Sequence, residues 1–293
     1  MFVSLRDWFV SGGEFATPLE GMRHLGVDAV EIKLDADFSV ATMDTIEKTR
    51  LLTDEDASAY RRHIESLGLR PICFLTACDF STGDPESNAA WVARAIELAD
   101  LVGIPAVRID SMMRKERVLD FETRVRLFSE GLGAALERTQ GSNVALGIEN
   151  HGVQGNDLAF QLNVYKTVGS ERLGATMDTG NFYWRGYPLS EVYGILNILA
   201  PFTKHTHVKN INYPEDVREK TREVGWEYGK YASPIDEGDI DHTKVARILR
   251  EAGYEGDLCI EDECLSKFAT PEERIAVMER DVTYIRRIIA DLG

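Results

Sequence analysis

Eight short apolar runs recur along this chain, and each is followed by a segment whose apolar residues have helical spacing. No other feature constrains the fold as tightly, because strands separated by helices pair in parallel and need a sheet buried on both faces. The runs are Phe2 to Phe9, Val27 to Leu34, Leu69 to Thr76, Ala106 to Asp110, Asn143 to Glu149, Arg172 to Asp178, Phe202 to Val208 and Asp257 to Glu261. The helical segments carry their own start signals. Thr17-Pro18-Leu19-Glu20, Thr53-Asp54-Glu55-Asp56 and Thr270-Pro271-Glu272-Glu273 have the capping-box pattern, Asp84-Pro85 and Asp241 are further caps, and Gly26, Gly68, Gly103 and Gly253 are stops. Eight such units in 293 residues predict one domain over residues 1–293 with α/β architecture, a (β/α)₈ barrel. A doubly wound open sheet is the competing arrangement. It would ordinarily show a glycine fingerprint after the first strand, and Ser11-Gly12-Gly13-Glu14 does not supply one.

Charge narrows the partners. With 49 acidic and 33 basic residues the formal net charge is −16, which disfavours nucleic acid and anionic membrane surfaces. Cys73, Cys78, Cys259 and Cys264 lack zinc-site spacing and read as reduced thiols. No leader-like segment opens the chain and no run is long enough to span a bilayer, so the expected setting is cytoplasmic. The polar stretch from Asn210 to Asp239, with Trp226, Tyr228 and Tyr231, is long for a loop in a compact domain, and such loops are more often functional than idle.

The run ending at Glu149 poses a local problem. Burying that carboxylate without a partner would cost several kcal/mol, so either the strand surfaces there or a charge meets it. The next three runs end in the same way, at Asp178, at His207 and at Glu261. In a barrel these ends share the active face. One acid ending a strand is ordinarily a solvated loop residue or a cap. Four ligand-type residues on adjacent strands would repel one another unless a cation lay between them, which points to Mn²⁺, Mg²⁺, Co²⁺ or Zn²⁺. His205 and His207 are two apart and share a strand face. His207, nearer the carboxyl end, is the better ligand; His205 reads as a deeper structural group behind it.

The motifs Leu146-Gly147-Ile148-Glu149-Asn150-His151-Gly152, Met177-Asp178-Thr179-Gly180-Asn181, His205-Thr206-His207-Val208-Lys209-Asn210, Asp236-Glu237-Gly238-Asp239-Ile240-Asp241 and Tyr254-Glu255-Gly256-Asp257-Leu258-Cys259-Ile260-Glu261 occur in order. Together they resemble the sugar phosphate isomerase/epimerase superfamily, the xylose isomerase-like TIM barrels, which include ketose 3-epimerases, inosose dehydratases and hydroxypyruvate isomerases. The resemblance implies one divalent ion held by Glu149, Asp178, His207 and Glu261. It also implies a small carbohydrate substrate (a sugar, sugar phosphate or cyclitol), isomerised or epimerised by proton abstraction beside a carbonyl through a metal-stabilised enediolate. Glu149 and Glu261 would take and return the proton, and the sequence leaves open which does which. Lys209 could polarise a substrate oxygen or bind a phosphate, or be a solvated lysine. Asn150, His151 and Asn181 could contact sugar hydroxyls, and Arg108 could meet an anionic group or pair with Asp110. Glu31 could project inward or pair with Lys33, while Trp184, Arg185 and Trp226 could wall the pocket or merely pack.

Three positions depart from the ketose 3-epimerase pattern. Asn181 stands where those enzymes have a histidine, Tyr213 where they have an arginine, and Gly155 where they have a second glutamate. Ketose 3-epimerisation is therefore not implied as the specific activity. A lyase that dehydrates an inosose, a keto-sugar or dehydroshikimate on the same site is the alternative, since only the fate of the enediolate differs. A non-catalytic sugar-binding protein and an endonuclease IV-like nuclease are remoter readings; the nuclease needs extra histidines that this chain lacks. A monomer, a homodimer or a homotetramer fits the sequence equally.

Overall fold

The computed structural model describes residues 1–111 and 114–293. Among these, eight strands form one all-parallel sheet: β1 (Phe2–Arg6), β2 (Ala29–Lys33), β3 (Arg70–Thr76), β4 (Ala106–Ile109), β5 (Ala145–Glu149), β6 (Leu173–Asp178), β7 (Thr203–His207) and β8 (Asp257–Ile260). The ring runs β8-β1-β2-β3-β4-β5-β6-β7. It closes just beyond the end of β7, where the Val208 amide donates to Cys259 O at 2.7 Å and the Glu261 amide donates to Val208 O at 3.0 Å.

The main helices are α1 (Pro18–Leu25), α2 (Asp54–Ser66), α3 (Pro85–Val102), α4 (Phe121–Arg138), α5 (Leu158–Val168), α6 (Leu189–Leu199), α7 (His242–Glu251) and α8 (Pro271–Leu292). Most of their starts follow the sequence signals, but at Thr17 only half of the expected box forms, because Glu20 reaches the Ala16 amide instead of the cap's own. Thr53 and Thr270 each accept from the third amide of their helices while Asp56 and Glu273 reach back to the cap amides. Asp84 and Asp241 cap two more as expected, and Asp120 and Asp157, which the sequence pattern had not singled out, cap α4 and α5. The outward side chains of the strands, such as Leu5, Ile32, Phe74, Ile109, Ile148 and Met177, belong to one buried apolar cluster with Leu132, Leu196 and Ile285 of the helices.

The lumen is different. Where barrel interiors are usually layered with branched aliphatic residues, this one holds Ser4, Glu31, Thr176, His205 and Asp257, all buried. A small separate apolar cluster of Ala29, Ile72, Cys73 and Ala106 accompanies them. Parallel strands covered on both faces can still alternate in character when polar groups satisfy one another inside.

Two expectations shift. The first strand stops at Arg6, and Asp7–Val10 forms a 3₁₀ turn, because the Asp7 carboxylate turns back to accept the Lys33 amide at 2.9 Å. The polar stretch after β7 is not structureless. It contains the antiparallel pair Asn210–Ile211 with Ala232–Ser233 and a short helix, Tyr228–Tyr231. The four cysteines are free thiols, and among the described residues no helix is long and apolar enough to cross a membrane.

Candidate metal centre

Glu149, Asp178 and His207 are the last residues of β5, β6 and β7, and Glu261 follows β8 directly. Asp178 and His207 are register partners, whereas Glu149 pairs with Thr176, two residues lower. One ligand-type atom from each of the four lies within 4.8 Å of the others, and all four side chains are buried.

The remaining atoms of these side chains are tied down. Asp178 Oδ1 accepts the Gly180 and Asn181 amides at 2.8 and 2.7 Å. The Asn150 side chain brackets the Asp178 backbone, accepting its N–H at 2.7 Å and donating to its carbonyl at 2.9 Å. Glu149 Oε1 accepts from Asn181 Nδ2 at 3.2 Å, and its Oε2 meets the Arg108 guanidinium. Glu261 Oε1 pairs with Arg6. His207 Nε2 lies 3.0 Å from each Glu31 oxygen. That leaves Asp178 Oδ2, Glu261 Oε2 and His207 Nδ1 buried without a directed hydrogen bond. They are nonetheless close to charged neighbours: His207 Nδ1 is 3.3 Å from Glu149 Oε2 and 3.2 Å from Glu261 Oε2, and Lys209 Nζ is 3.1 Å from Asp178 Oδ2. A buried polar atom without a partner costs about 1–3 kcal/mol. Two carboxylate oxygens and an imidazole nitrogen facing one another, with Glu149 beside them, are a donor set that fits a divalent cation.

Electrostatics at the rim are strongly coupled. Burial alone would raise the Glu149 carboxyl, but Arg108 and His207 outweigh it and hold the group well below the usual carboxylate range. Burial would lower Lys209, yet Asp178 and Glu263 hold its ammonium above the ordinary lysine value. Lys209 Nζ sits 3.0 Å from both Glu261 Oε2 and Glu263 Oε1, so it is neither solvated nor free. Its stem crosses Gly180 so closely that a Cβ there would lie 2.6 Å from Lys209 Cγ.

The other sequence candidates divide. Asn150, Asn181 and Arg108 join the cluster, each on a ligand-type residue rather than open to solvent. Arg108 lies 3.7 Å from Asp110 but bonds chiefly to Glu149. His151 stands at the edge, with Nδ1 3.1 Å from Asp110 Oδ2 and a side chain 39% exposed. Trp184 packs against the Gly225 loop, its Nε1 3.1 Å from where a Gly225 Cβ would sit. Trp226 stacks on Tyr231. His205 lies below His207, its two ring nitrogens 2.9 Å from Glu31 and 3.0 Å from Asp257. Glu31 faces inward, and Lys33 pairs instead with Asp35 at 3.1 Å.

The departures from the epimerase pattern have local reasons. A Cβ on Gly155 would overlap Ser111 Oγ and lie 2.7 Å from Glu149 O, so the strand-five turn excludes any side chain there. Tyr213 is buried against Tyr183 and Tyr231, with the Arg222 guanidinium 4.6 Å above its ring. Sequence reasoning missed Arg6, Glu263 and Tyr228. Arg6 lies inside the run Phe2 to Phe9 and becomes a strand end only in the fold, so nothing in the sequence marked it; Tyr228 reaches Glu263 only through the fold of its loop, at 2.5 Å.

Two cavities open at this face. One of about 440 Å³ adjoins Ala77, Asp110 and Arg114 beyond β3 and β4, and one of about 400 Å³ adjoins Trp8 and Lys33 beyond β1 and β2. A third, of about 410 Å³ between Tyr165, Leu173 and Lys204, lies at the opposite ends of the strands, away from the carboxylates.

Comparison with known proteins places this geometry in context. An inosose dehydratase of Yersinia enterocolitica is 26% identical over 144 residues, 48% of this chain, and the match spans about half (47%) of that protein's length. The crystal structure of IOLI protein with a bound zinc atom superposes with a TM-score of 0.69 at 17% identity, covering 97% of this chain and 98% of that one. A D-psicose 3-epimerase from Clostridium cellulolyticum H10, solved with D-tagatose, gives 0.71 at 12% identity, covering 98% and 99%. At such identities the two structures show the shared fold alone. The profile described as Xylose isomerase-like TIM barrel matches residues 19–288, and the chain belongs to that family.

Proposed function

We propose that the protein is a divalent-metal-dependent isomerase or epimerase of a small sugar, sugar phosphate or cyclitol, and that the whole chain forms one catalytic unit. The observation that carries this reading is the convergence beside Glu149 of Asp178 Oδ2, Glu261 Oε2 and His207 Nδ1, buried and without a directed hydrogen bond although Lys209 reaches both carboxylates. Glu149, Asp178, His207 and Glu261 would hold the ion (Mn²⁺, Mg²⁺, Co²⁺ or Zn²⁺), and when bound it supplies Lewis acidity toward a substrate oxygen. The chain's own groups do the rest. Glu149 and Glu261 would take and return the proton, and cations flank both, Arg108 at Glu149 and Arg6 with Lys209 at Glu261. Lys209 keeps its proton at this site and acts as donor to a substrate oxygen rather than as base. Asn181 and Arg108 orient Glu149, and the half-exposed His151 is placed to meet a substrate hydroxyl.

A second reading, dehydration on the same site, is favoured by the partial match to an inosose dehydratase. Metal analysis of purified protein, with solvent-deuterium incorporation across ketoses, inososes and keto-sugars, tests both. Isomerisation leaves substrate mass unchanged apart from deuterium; dehydration removes one water. A bound metal with proton exchange into none of these compounds would overturn the enolisation chemistry.

A further inference from the structure

Behind His207 runs a line of buried side chains to which the proposed reaction gives no task. His207 and His205 stand two apart on β7 with rings edge to face, centroids 5.3 Å apart. Glu31 of β2 faces both: its oxygens are each 3.0 Å from His207 Nε2, and Oε1 is 2.9 Å from His205 Nε2. His205 Nδ1 continues to Asp257 Oδ1 at 3.0 Å. Asp257 is closed off by the Ser4 and Tyr254 hydroxyls, donating at 2.9 and 3.0 Å.

A neutral imidazole carries one N–H and one lone pair, and its partners decide which nitrogen holds which. Here Nε2 of His207 faces two carboxylate oxygens at bonding distance, so a lone pair on that nitrogen would be repelled from both. Nδ1 also has carboxylate oxygens near it, Glu149 Oε2 at 3.3 Å and Glu261 Oε2 at 3.2 Å, but neither is in line for a hydrogen bond, so the proton goes to Nε2 and the lone pair falls to Nδ1. We propose that Glu31 is a positioning residue that selects the Nε2–H form of His207 and thereby fixes Nδ1 as the atom offered to the cation. Its bearing on metal binding rests on His207 being a ligand, as proposed above; the tautomer itself is a property of the chain alone. Glu31 can hold this position because it is braced from other sides. Arg6, its register partner on β1, places Nε 3.2 Å from Oε2, and His205 presses on Oε1. A glutamine in its place would offer an N–H donor as well as an oxygen, and either form of the ring could then be accommodated.

Long-range ¹H–¹⁵N correlation on the ion-free full chain reads the tautomer directly. The parent chain should show His207 as Nε2–H, and Glu31→Gln should show a mixture or the Nδ1–H form. In parallel, titration with Mn²⁺ or Zn²⁺ should show Glu31→Gln binding about 10–100-fold more weakly, with Glu31→Asp recovering part of the loss. An altered Co²⁺ absorption spectrum should accompany the weaker binding. An Nδ1–H ring in the parent chain overturns the proposal. So does a Glu31→Gln variant of lowered Tm whose tautomer and ion affinity match the parent, because that result makes Glu31 structural only. Should Glu31→Gln fail to fold, the parent tautomer and Glu31→Asp still decide. If the parent chain takes up no divalent ion, the metal-centre reading fails by itself, while the tautomer still tests Glu31.

Discussion

At Glu149 two opposing demands meet. A buried carboxylate should be neutralised, and a ligand or proton-transfer group should stay ionised and reachable. Arg108 meets the first without abolishing the second, because it and Asn181 approach from the sides. Replacing either glutamate by glutamine removes charge with little change in shape. We expect Glu149→Gln and Glu261→Gln each to lower kcat by at least about 10²-fold with a native circular dichroism spectrum. Turnover within a few-fold of the parent in either variant would show that the wrong carboxylates were chosen. A different acid shows the cost of leaving such a demand unmet. Asp281 on α8 is buried against Asp262, and burial together with that neighbour pushes its carboxyl well above the ordinary range. A raised folded pKa means stability is lost as pH climbs past the unfolded value of about 4. Asp281→Asn, which can still accept the Ile235 amide, should therefore be more stable than the parent at neutral pH by roughly 1 kcal/mol or more in urea unfolding. A loss of stability there would show that the pair is stabilising as it stands.

Among the elements, most strand ends and the caps at Thr53, Asp84, Asp241 and Thr270 were legible in the sequence because each depends on a few neighbouring residues. Thr53 with Asp56, and Thr270 with Glu273, form the reciprocal caps their spacing predicts. The turn at Asp7 was not legible, since it answers to Lys33 on another strand. Tyr228 illustrates the same limit, because its approach to Glu263 is set by a loop whose path no periodicity encodes. The start of α7 supplies a pH signature. His242 is buried with Nε2 3.2 Å from Thr179 Oγ1, and burial pushes its pKa down to about 4. The unfolded chain, with a histidine near 6.5, then holds more protons than the folded one between those values, so stability rises with pH across the window. Acidification from pH 6.5 to 4 should cost up to about 3 kcal/mol from this group and nothing further below it. His242→Gln should flatten that part of the stability profile, and an unchanged slope would assign the acid sensitivity elsewhere.

Across the whole molecule, a net charge of −16 coexists with a rim where Glu149, Asp178, Glu261 and Glu263 crowd around Lys209, Arg6 and Arg108. Such crowding should make the folded state respond to divalent ions. At an ion concentration 100 times its Kd, stabilisation of about 2.7 kcal/mol is expected, read as a chelator-reversible rise in Tm. No shift with Mn²⁺, Mg²⁺, Co²⁺ or Zn²⁺ would argue against the proposed centre. The barrel itself could be read from eight alternating units, and His205 as a group set deep behind His207, but the closed polar network of the lumen could not. Ser4, Glu31, His205 and Asp257 sit on different strands, and their mutual bonds exist only once the ring has closed.

That lumen bears on transplantation. Copying Glu149, Asp178, His207 and Glu261 onto another eight-stranded scaffold with an aliphatic interior would place the four proposed ligands over a floor that cannot orient the imidazole or neutralise the acids. A working graft would have to carry Arg6, Glu31, His205, Asp257 and Arg108 as well, drawn from β1, β2, β4, β7 and β8. The transferable unit is therefore the inside of the ring, and a designer borrowing this site inherits most of a barrel with it.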